Sequence, residues 1–178
     1  EIGGVSLRHL AQTVGTPFFI YDEAMVENHL HTFRECLSHP ELETQVVYAG
    51  KAFLCGKMAR LVRDAGCGLD VVSGGELAVA LHAGMPAERI VFHGNNKTPD
   101  ELTAALKAGV GLIVLDNAPE CAALAALAEQ LQCHANVLLR VNPGVEAHTH
   151  EYIVTAHVDS KFGVSAADTK GWETILQT

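Results

Sequence analysis

The chain has 178 residues, of which 48% are hydrophobic and 19% charged, an ordinary composition for a globular protein. This length allows a sizeable core but falls short of the roughly 250 residues of a complete eight-stranded βα barrel. With 12 Lys and Arg against 21 Asp and Glu, the net charge of −9 argues against nucleic acid or an anionic membrane as a partner, and no apolar run is long enough to span a membrane.

Short apolar runs alternate with longer Ala- and Leu-rich stretches along the chain. The first run, Phe18–Tyr21, follows a Gly15-Thr16-Pro17 turn and precedes a helix for which Asp22 is the predicted N-cap. Later runs predict five strands, which begin near residues 46, 69, 90, 112 and 137 and are separated by helices. The spacing of Phe18–Tyr21 differs from that of the others, so we expect it outside the sheet.

Two of the predicted helices have clear start signals. Thr98 as N-cap, Pro99 at the first helical position and Glu101 three residues after the cap match a capping box. Asn117 is the predicted cap of a long helix that ends at about Gln132. The C-terminal stretch 172–178 is also predicted to be helical, with neither Gly nor Pro to stop it. Because the chain also starts without Met or a signal pattern, we expect it to be part of a longer gene product.

A regular alternation of strand and helix is typical of a parallel sheet with right-handed crossovers. Two arrangements fit this pattern, an open doubly wound sheet and part of a closed βα barrel. The early strands are not followed by G-x-G-x-x-G, which weakens the case for a dinucleotide site.

In both arrangements functional side chains gather at the carboxyl ends of the strands. The polar residues at those ends are Lys51, Asp70, Glu76, His93, Asn95, Asn96, Asp116, Arg140 and Asn142. Lys51 is the most informative, because loss of hydration at the end of an apolar strand favours the neutral amine that Schiff-base chemistry requires. The small neighbours Gly50 and Ala52 leave room for a ligand, although an ordinary loop lysine is the alternative.

The other polar positions have structural as well as functional interpretations. Asp70, inside an apolar strand, needs a partner, while Glu76 either complements a helix dipole or orients a lysine. Arg140 must pair with an anion, which is a structural carboxylate or a cofactor oxygen. The Ser73–Gly75 segment is a tight turn or an anion cradle of backbone N–H groups.

Cysteines and histidines give little sign of metal chemistry. The five cysteines are odd in number and lack a C-x-x-C pair, which indicates reduced, mostly buried thiols in a cytoplasmic protein. His148 and His150 form an H-x-H pair, but this is a weak signal without further ligands, and we expect no metal site.

A series of motifs resembles the fold-type III pyridoxal-phosphate decarboxylases. Tyr48–Ala52 is similar to their Y-A-x-K-A lysine motif, and Gly68–Leu77 to their G-x-D-V-V-S-x-G-E-L segment. Three further stretches, His93–Lys97, Arg140–Ile153 and Asp159–Gly163, resemble the diaminopimelate decarboxylases in particular. The order and spacing of the motifs match over essentially the whole chain.

The resemblance implies an α/β fold, part of an alanine-racemase-like (β/α)8 TIM barrel. Residues 23–178 would form an incomplete pyridoxal-phosphate-binding barrel, and residues 1–22 would belong to a separate β domain. Lys51 would bind pyridoxal phosphate covalently, with Asp70 and Glu76 near it. Arg140 would face the phenolic-oxygen side of the cofactor, and His93 would line the same mouth.

The implied reaction is decarboxylation of the amino acid meso-2,6-diaminopimelate to L-lysine, by a homodimer when full length. The phosphate loop and substrate residues of the family have no counterpart before Thr178, and only five barrel strands are predicted, so we expect the chain alone to be inactive. The stretch Glu146–Ile153 favours diaminopimelate. The alternatives are a decarboxylase of ornithine, arginine or carboxynorspermidine, a non-catalytic cofactor carrier, and an open α/β binding module.

Overall fold

The computed structural model describes residues 1–144 and 162–178. The helices are α1 (Leu7–Val14), α2 (Glu23–Cys36), α3 (Gly56–Asp64), α4 (Gly74–His82), α5 (Pro99–Ala108), α6 (Ala118–Leu131) and α7 (Thr169–Gln177). The strands are β1 (Val47–Ala49), β2 (Gly68–Val71), β3 (Ile90–Phe92), β4 (Leu112–Leu115), β5 (Val137–Leu139), β6 (Val141–Asn142) and β7 (Val164–Ser165). Short 3-10 turns at Gly50–Ala52 and Ala87–Arg89 join some of them.

The five main strands form one sheet in the order β1-β2-β3-β4-β5, and every neighbouring pair is parallel. Each strand therefore lies beside the next strand in sequence, and the order never reverses. A doubly wound sheet has such a reversal, whereas a βα barrel does not. The strand order thus identifies the fold as part of a βα barrel and excludes the doubly wound alternative for these strands.

Backbone pairing continues at Arg140, beyond the five predicted strands. Its N–H donates to Leu115 O, which extends the β4–β5 pairing, and its carbonyl accepts from Val164 N. The β6 strand then pairs in parallel with β7. The five predicted strands form the main sheet, and β6 and β7 add a two-stranded sheet that was not predicted, because a two-residue strand produces no apolar run that the sequence could reveal.

Helix starts follow the predicted caps. Asp22 accepts from Met25 N, and Asn117 accepts from Glu120 N. At α5 the Thr98 hydroxyl and the Glu101 carboxylate form the complete capping box. These side chains satisfy first-turn N–H groups that have no partner inside the helix.

The hydrophobic core lies on the helix-covered face of the sheet. Successive strand side chains point to opposite faces, and alternate positions are fully or nearly fully buried, namely Leu69, Val71, Ile90, Phe92, Ile113 and Leu115. They cluster with helix residues such as Val62, Leu77, Leu102 and Leu124. Burying each such side chain contributes about 1.5–3 kcal/mol, so this layer holds the strand ends in place.

The N-terminal segment lies outside the sheet, as expected for the Phe18–Tyr21 run. Residues 15–22 form no strand. Phe19 is 92% exposed, while the Tyr21 ring stacks on Phe53 with centroids 4.0 Å apart.

The described residues contain no helix long and apolar enough to cross a membrane. The five thiols are free, but only Cys67 is buried and Cys36 is exposed. The prediction of mostly buried thiols is therefore wrong, because the other cysteines lie on helix faces or connections at the edge of the core.

Candidate active site

A cavity of about 350 Å³ opens at the carboxyl ends of the strands. Its walls come from the connections that follow β1, β2, β3 and β5, and from the residue pair that precedes β7. The lining residues are Lys51, Val72, His93, Gly94, Asn95, Asn96, Arg140 and Phe162. Of the five residues that the family resemblance assigns to the cofactor, Lys51, His93 and Arg140 share this cavity. Its volume is within the range of small-molecule sites.

Lys51 lies in the 3-10 turn directly after β1 and is exposed at the mouth of this cavity. The prediction that the strand end removes water from this lysine is wrong for the chain described here. The apolar run ends two residues earlier, and the turn places the side chain at the open rim. The amine is therefore accessible to a carbonyl compound that enters the cavity.

The neighbouring Gly50 is small for a different reason than predicted. A Cβ at this position would lie 2.6 Å from the backbone O of Asp70 and 3.7 Å from Oε2 of Glu76. Such a distance to a backbone atom is a clash, so the space is used by the adjacent strand and not by a ligand. Gly50 lets the β1 turn approach β2 closely enough to bring Lys51 to the cavity.

His93 lines the cavity and contacts Asp70, which does not line it. The Nδ1 atom of His93 lies 3.5 Å from Oδ1 of Asp70, which is the outer limit of a hydrogen bond. The Nε2 atom is shielded from solvent and has no hydrogen-bond partner among the residues that the structure describes. Since shielded polar atoms are normally paired, this nitrogen is suited to meet a polar atom of a ligand.

Glu76 does not line the cavity. Its Oε2 atom accepts from Val72 N at 2.8 Å, which ties α4 to the end of β2. Asp70 and Glu76 thus lie outside the cavity lining but each contacts a residue of it, Asp70 the His93 ring and Glu76 the backbone of Val72. The structure brings all five candidates to one edge of the sheet, with two of them in a supporting layer.

Glu101 occupies the predicted anion cradle at Ser73–Gly75. Its Oε1 atom accepts from Gly74 N at 2.6 Å, while the Ser73 hydroxyl caps α4 by accepting from Glu76 N. Hydrogen bonds from the backbone N–H groups of Thr98 and Gly74 lower the pKa of Glu101 below its ordinary value. The hypothesis that this turn holds a ligand anion is therefore wrong, because a carboxylate of the chain already fills it.

Arg140 pairs with a structural carboxylate. Its Nη1 donates to Asp116 Oδ1 at 3.1 Å, and the other oxygen of Asp116 accepts from Gly163 N at 3.0 Å. The guanidinium carbon also lies 4.6 Å from the centroid of the Phe162 ring, within cation–π range. The guanidinium is held from two sides and still lines the cavity, so it is preorganised to meet an anionic group there.

Sequence reasoning missed a buried lysine behind this wall. Lys97 closes the H-G-N-N-K motif, and its side chain is 1% exposed beside Glu120, at 6%. Its position in a polar loop gave no sign of burial, and Glu120 had the ordinary appearance of a first-turn acid in α6. Only the spacing of Lys97 after an apolar strand could have drawn attention to it.

Metal ligation finds no support in the described parts of the chain, where no three His, Cys, Asp or Glu side chains are grouped to hold an ion. The His148–His150 pair and the motif residues Asp159–Lys161 lie outside the described residues, as does the Glu146–Ile153 stretch. Asn142 is buried within β6, its side chain accepts from Gly144 N, and it does not line the cavity.

The family model for the pyridoxal-binding domain of pyridoxal-dependent decarboxylases matches residues 23–178. The chain belongs to this family. It is 50% identical over 163 residues to the diaminopimelate decarboxylase of Bacillus subtilis, and this alignment covers 92% of the chain and 37% of the Bacillus subtilis protein. It is 51% identical over 166 residues to the diaminopimelate decarboxylase of Mycobacterium tuberculosis, covering 93% and 36% respectively.

A solved structure shows the same fold for this pyridoxal-binding domain. The diaminopimelate decarboxylase of Helicobacter pylori, crystallised with L-lysine, superposes with a TM-score of 0.84 at 30% identity. The alignment covers 97% of this chain and 43% of the Helicobacter pylori chain. The chain therefore spans less than half the length of the relatives it matches, and the partial-barrel prediction is confirmed.

Pyridoxal phosphate is the cofactor of this family, and the cavity fits it chemically. The cavity wall carries a primary amine for the aldehyde carbon at Lys51, and Arg140 supplies a cation for an anionic oxygen. His93 contributes a shielded ring nitrogen with no hydrogen-bond partner in residues 1–144 and 162–178. These groups come from three separate strand ends, so the sheet itself sets their spacing.

Proposed function

We propose that this chain is the cofactor-holding part of a diaminopimelate decarboxylase, which releases CO2 from meso-2,6-diaminopimelate and forms L-lysine. The observation that carries the proposal is the convergence of Lys51, His93 and Arg140 on one cavity at the carboxyl ends of the strands. Identity of about 50% to proteins with this activity supports the choice of substrate.

Each residue has a role that its position supports. Lys51 binds the cofactor covalently through its exposed amine. Arg140, fixed by Asp116, neutralises an anionic oxygen of the cofactor. Asp70 holds the His93 ring at the wall so that the shielded Nε2 faces the bound group. Glu76 supports the β2 end by accepting from Val72 N, and acts by position alone.

In the proposed reaction the bond between the α-carbon and the carboxylate breaks, CO2 leaves and a proton replaces it on that carbon. The cofactor ring, when bound, accepts the electron pair that this cleavage leaves behind. The protein's contribution is to hold the ring and its substituents in one orientation and to balance their charge. The paired Arg140 and the anchored His93 provide this without rearrangement.

The N-terminal residues 1–22 are proposed to pack with a separate β domain, and residues 23–178 to form the barrel part. The exposed apolar side chains of this segment support the assignment, among them Ile2, Val5, Val14 and Phe19. We propose further that the protein acts as a cytoplasmic homodimer. The free thiols are consistent with a reducing compartment, and light scattering of the purified gene product tests the dimer.

Borohydride reduction in the presence of pyridoxal phosphate tests the assignment of Lys51. The gene product that carries this sequence is reduced, digested and mapped by mass spectrometry. We expect the pyridoxyl label on Lys51, its loss in Lys51→Ala, and its retention in Lys107→Ala, which removes an exposed lysine of α5. Label on other lysines alone, or full decarboxylation by Lys51→Ala, would overturn the proposal.

Turnover of meso-2,6-diaminopimelate tests the substrate. The expected products are CO2 and L-lysine in equal amounts. Equal or faster turnover of ornithine or arginine would assign the cavity to a different decarboxylase while leaving the cofactor role intact.

A further inference from the structure

Lys97 is a buried cation that no part of the proposed chemistry uses. It belongs to the loop that connects β3 to α5, and its side chain is 1% exposed. Nζ donates to Gly94 O and Val114 O, each at 2.7 Å, and contacts Glu120 Oε1 at 2.9 Å. An ammonium group has three donor hydrogens, so this arrangement satisfies all of them.

The three acceptors belong to three different parts of the site. Gly94 lines the cavity, Val114 lies near the end of β4, and Glu120 belongs to the first turn of α6. A single ammonium therefore joins the rim of the cavity to the strand and the helix behind it. Removing the ammonium would leave two backbone carbonyls and one carboxylate without this partner.

Glu120 extends this network of contacts to Arg140, a second residue of the cavity wall. Its second oxygen accepts from Asp116 N at 2.9 Å, and the Asp116 carboxylate accepts from Arg140 Nη1. The chain of contacts thus runs from Gly94 through Lys97, Glu120 and Asp116 to Arg140. Both ends of this chain line the same cavity.

A buried ion pair is a poor source of stability in itself, because the cost of removing two charges from water offsets much of their attraction. The Phe92 ring, part of the hydrophobic core, lies 5.8 Å from Nζ, and an apolar residue at position 97 would also fill this space. What an apolar residue lacks is the ability to hold three oxygens at fixed distances.

We propose that Lys97 is a positioning residue that sets the geometry of the cofactor cavity by clamping the Gly94 loop and, through Glu120 and Asp116, the Arg140 guanidinium. The effect on the loop and strand ends follows from the contacts alone. The effect on pyridoxal phosphate rests on the function proposed above.

The test compares Lys97→Met with the double variant Lys97→Met/Glu120→Gln. The single variant leaves a buried carboxylate without its cation, so it is expected to lose stability as a whole. The double variant removes both charges, keeps an acceptor for Asp116 N and keeps the side-chain volumes. The matched control is Lys57→Met/Glu23→Gln, which removes an exposed Lys–Glu pair whose side chains are 55% and 52% exposed.

The main readout is amide hydrogen exchange in the cofactor-free protein. The His93 amide, bonded to Val71 O, and the Arg140 amide, bonded to Leu115 O, report on the two strand ends at the clamp. The Gly68 amide, bonded to Val46 O, reports on the opposite end of the sheet. In the double variant we expect exchange at His93 and Arg140 to quicken about tenfold more than at Gly68.

Pyridoxal phosphate affinity is the second readout, and we expect it to weaken about tenfold in the double variant and not in the control. Equal acceleration at all three amides, unchanged exchange, or a double variant that does not fold would overturn the positioning role, because each would show either general stabilisation or no effect. If borohydride reduction leaves no pyridoxyl label on Lys51 of the unaltered protein, but exchange at His93 and Arg140 still quickens more than at Gly68 in the double variant, then the proposed function is wrong and the positioning role of Lys97 is retained.

Discussion

Asp116 holds Arg140 from the neighbouring strand end, with 3.1 Å between Oδ1 and Nη1, and its other oxygen accepts from the backbone of Gly163. The Asp116 side chain is 1% exposed, and it therefore connects the ends of β4 and β5 to the residue directly before β7. The cation that faces the cavity is fixed by a group outside it.

Asp116→Asn tests this relationship. The substitution keeps the shape of the side chain but replaces one accepting oxygen with an NH2 group. In either orientation of the amide, this NH2 group faces a donor, the Arg140 guanidinium or the Gly163 N–H. We expect the free energy of unfolding to fall by about 1–3 kcal/mol and pyridoxal phosphate affinity to fall about tenfold. Urea unfolding and a fluorescence titration measure the two effects.

Asp64→Asn is the matched control for that change. Asp64 also pairs with an arginine, Arg63, but its side chain is 63% exposed and does not line the cavity. We expect no measurable change in stability or cofactor affinity. Equal losses in the two variants would contradict a special role for the Asp116 contact.

Glu101 should make stability depend on pH. Its pKa in the folded chain lies below the ordinary 4.5, chiefly because the N–H groups of Thr98 and Gly74 donate to it. The unfolded chain then binds more protons in this range, so the contribution is present above pH 4.5 and is lost as the pH falls through the folded pKa. Glu101→Gln should lower the free energy of unfolding near neutral pH, with a deficit that narrows in acid.

Urea unfolding at a series of pH values measures this deficit. Glu129→Gln, at an exposed position of α6, provides the same chemical change without a capping role. A deficit for Glu101→Gln that stays constant down to acid pH would show that the carboxylate charge is not what stabilises the two helix starts.

Gly94 is the position where the cavity loop depends on the absence of a side chain. Its φ is +102°, and a Cβ would lie 2.9 Å from the backbone O of Val72. Gly94→Ala should therefore cost both backbone strain and a displacement of the loop, about 1–3 kcal/mol together, and should weaken pyridoxal phosphate binding. Thermal unfolding and cofactor titration measure these effects.

Gly109→Ala separates strain from contact. Gly109 also has a positive φ, +71°, but a Cβ there meets no atom within 4 Å. We expect a cost of about 1 kcal/mol and unchanged cofactor binding. Cofactor binding that is lost equally in both variants would rule out a local effect of Gly94.

Thiol reactivity should differ sharply between two cysteines. Burial raises the pKa of the Cys67 thiol and removes it from solvent, whereas Cys36 is exposed at the end of α2. Brief treatment of the native protein with iodoacetamide should label Cys36 and spare Cys67. Peptide mapping measures the ratio, with urea-unfolded protein as the control in which both react; equal labelling in the native state would contradict the described core.

The sequence by itself determined the type and order of the elements. Apolar runs recurring at a regular interval predicted β1 to β5, and the caps at Asp22, Thr98 and Asn117 predicted where α2, α5 and α6 begin. These signals are local, since a cap or an apolar face depends on residues a few positions apart. The choice of Lys51, Asp70, Glu76, His93 and Arg140 also came from the chain alone, because their motifs lie at predicted strand ends.

Only the tertiary structure decided how these residues are used. Pairing between strands distinguished the barrel order from the doubly wound one and revealed β7. Lys51 proved exposed, Glu101 filled the turn expected to bind an anion, and Gly50 made room for the backbone of Asp70. The Lys97–Glu120 pair joins residues 23 positions apart, and burial, which depends on everything that packs around a side chain, decided its place behind the cavity.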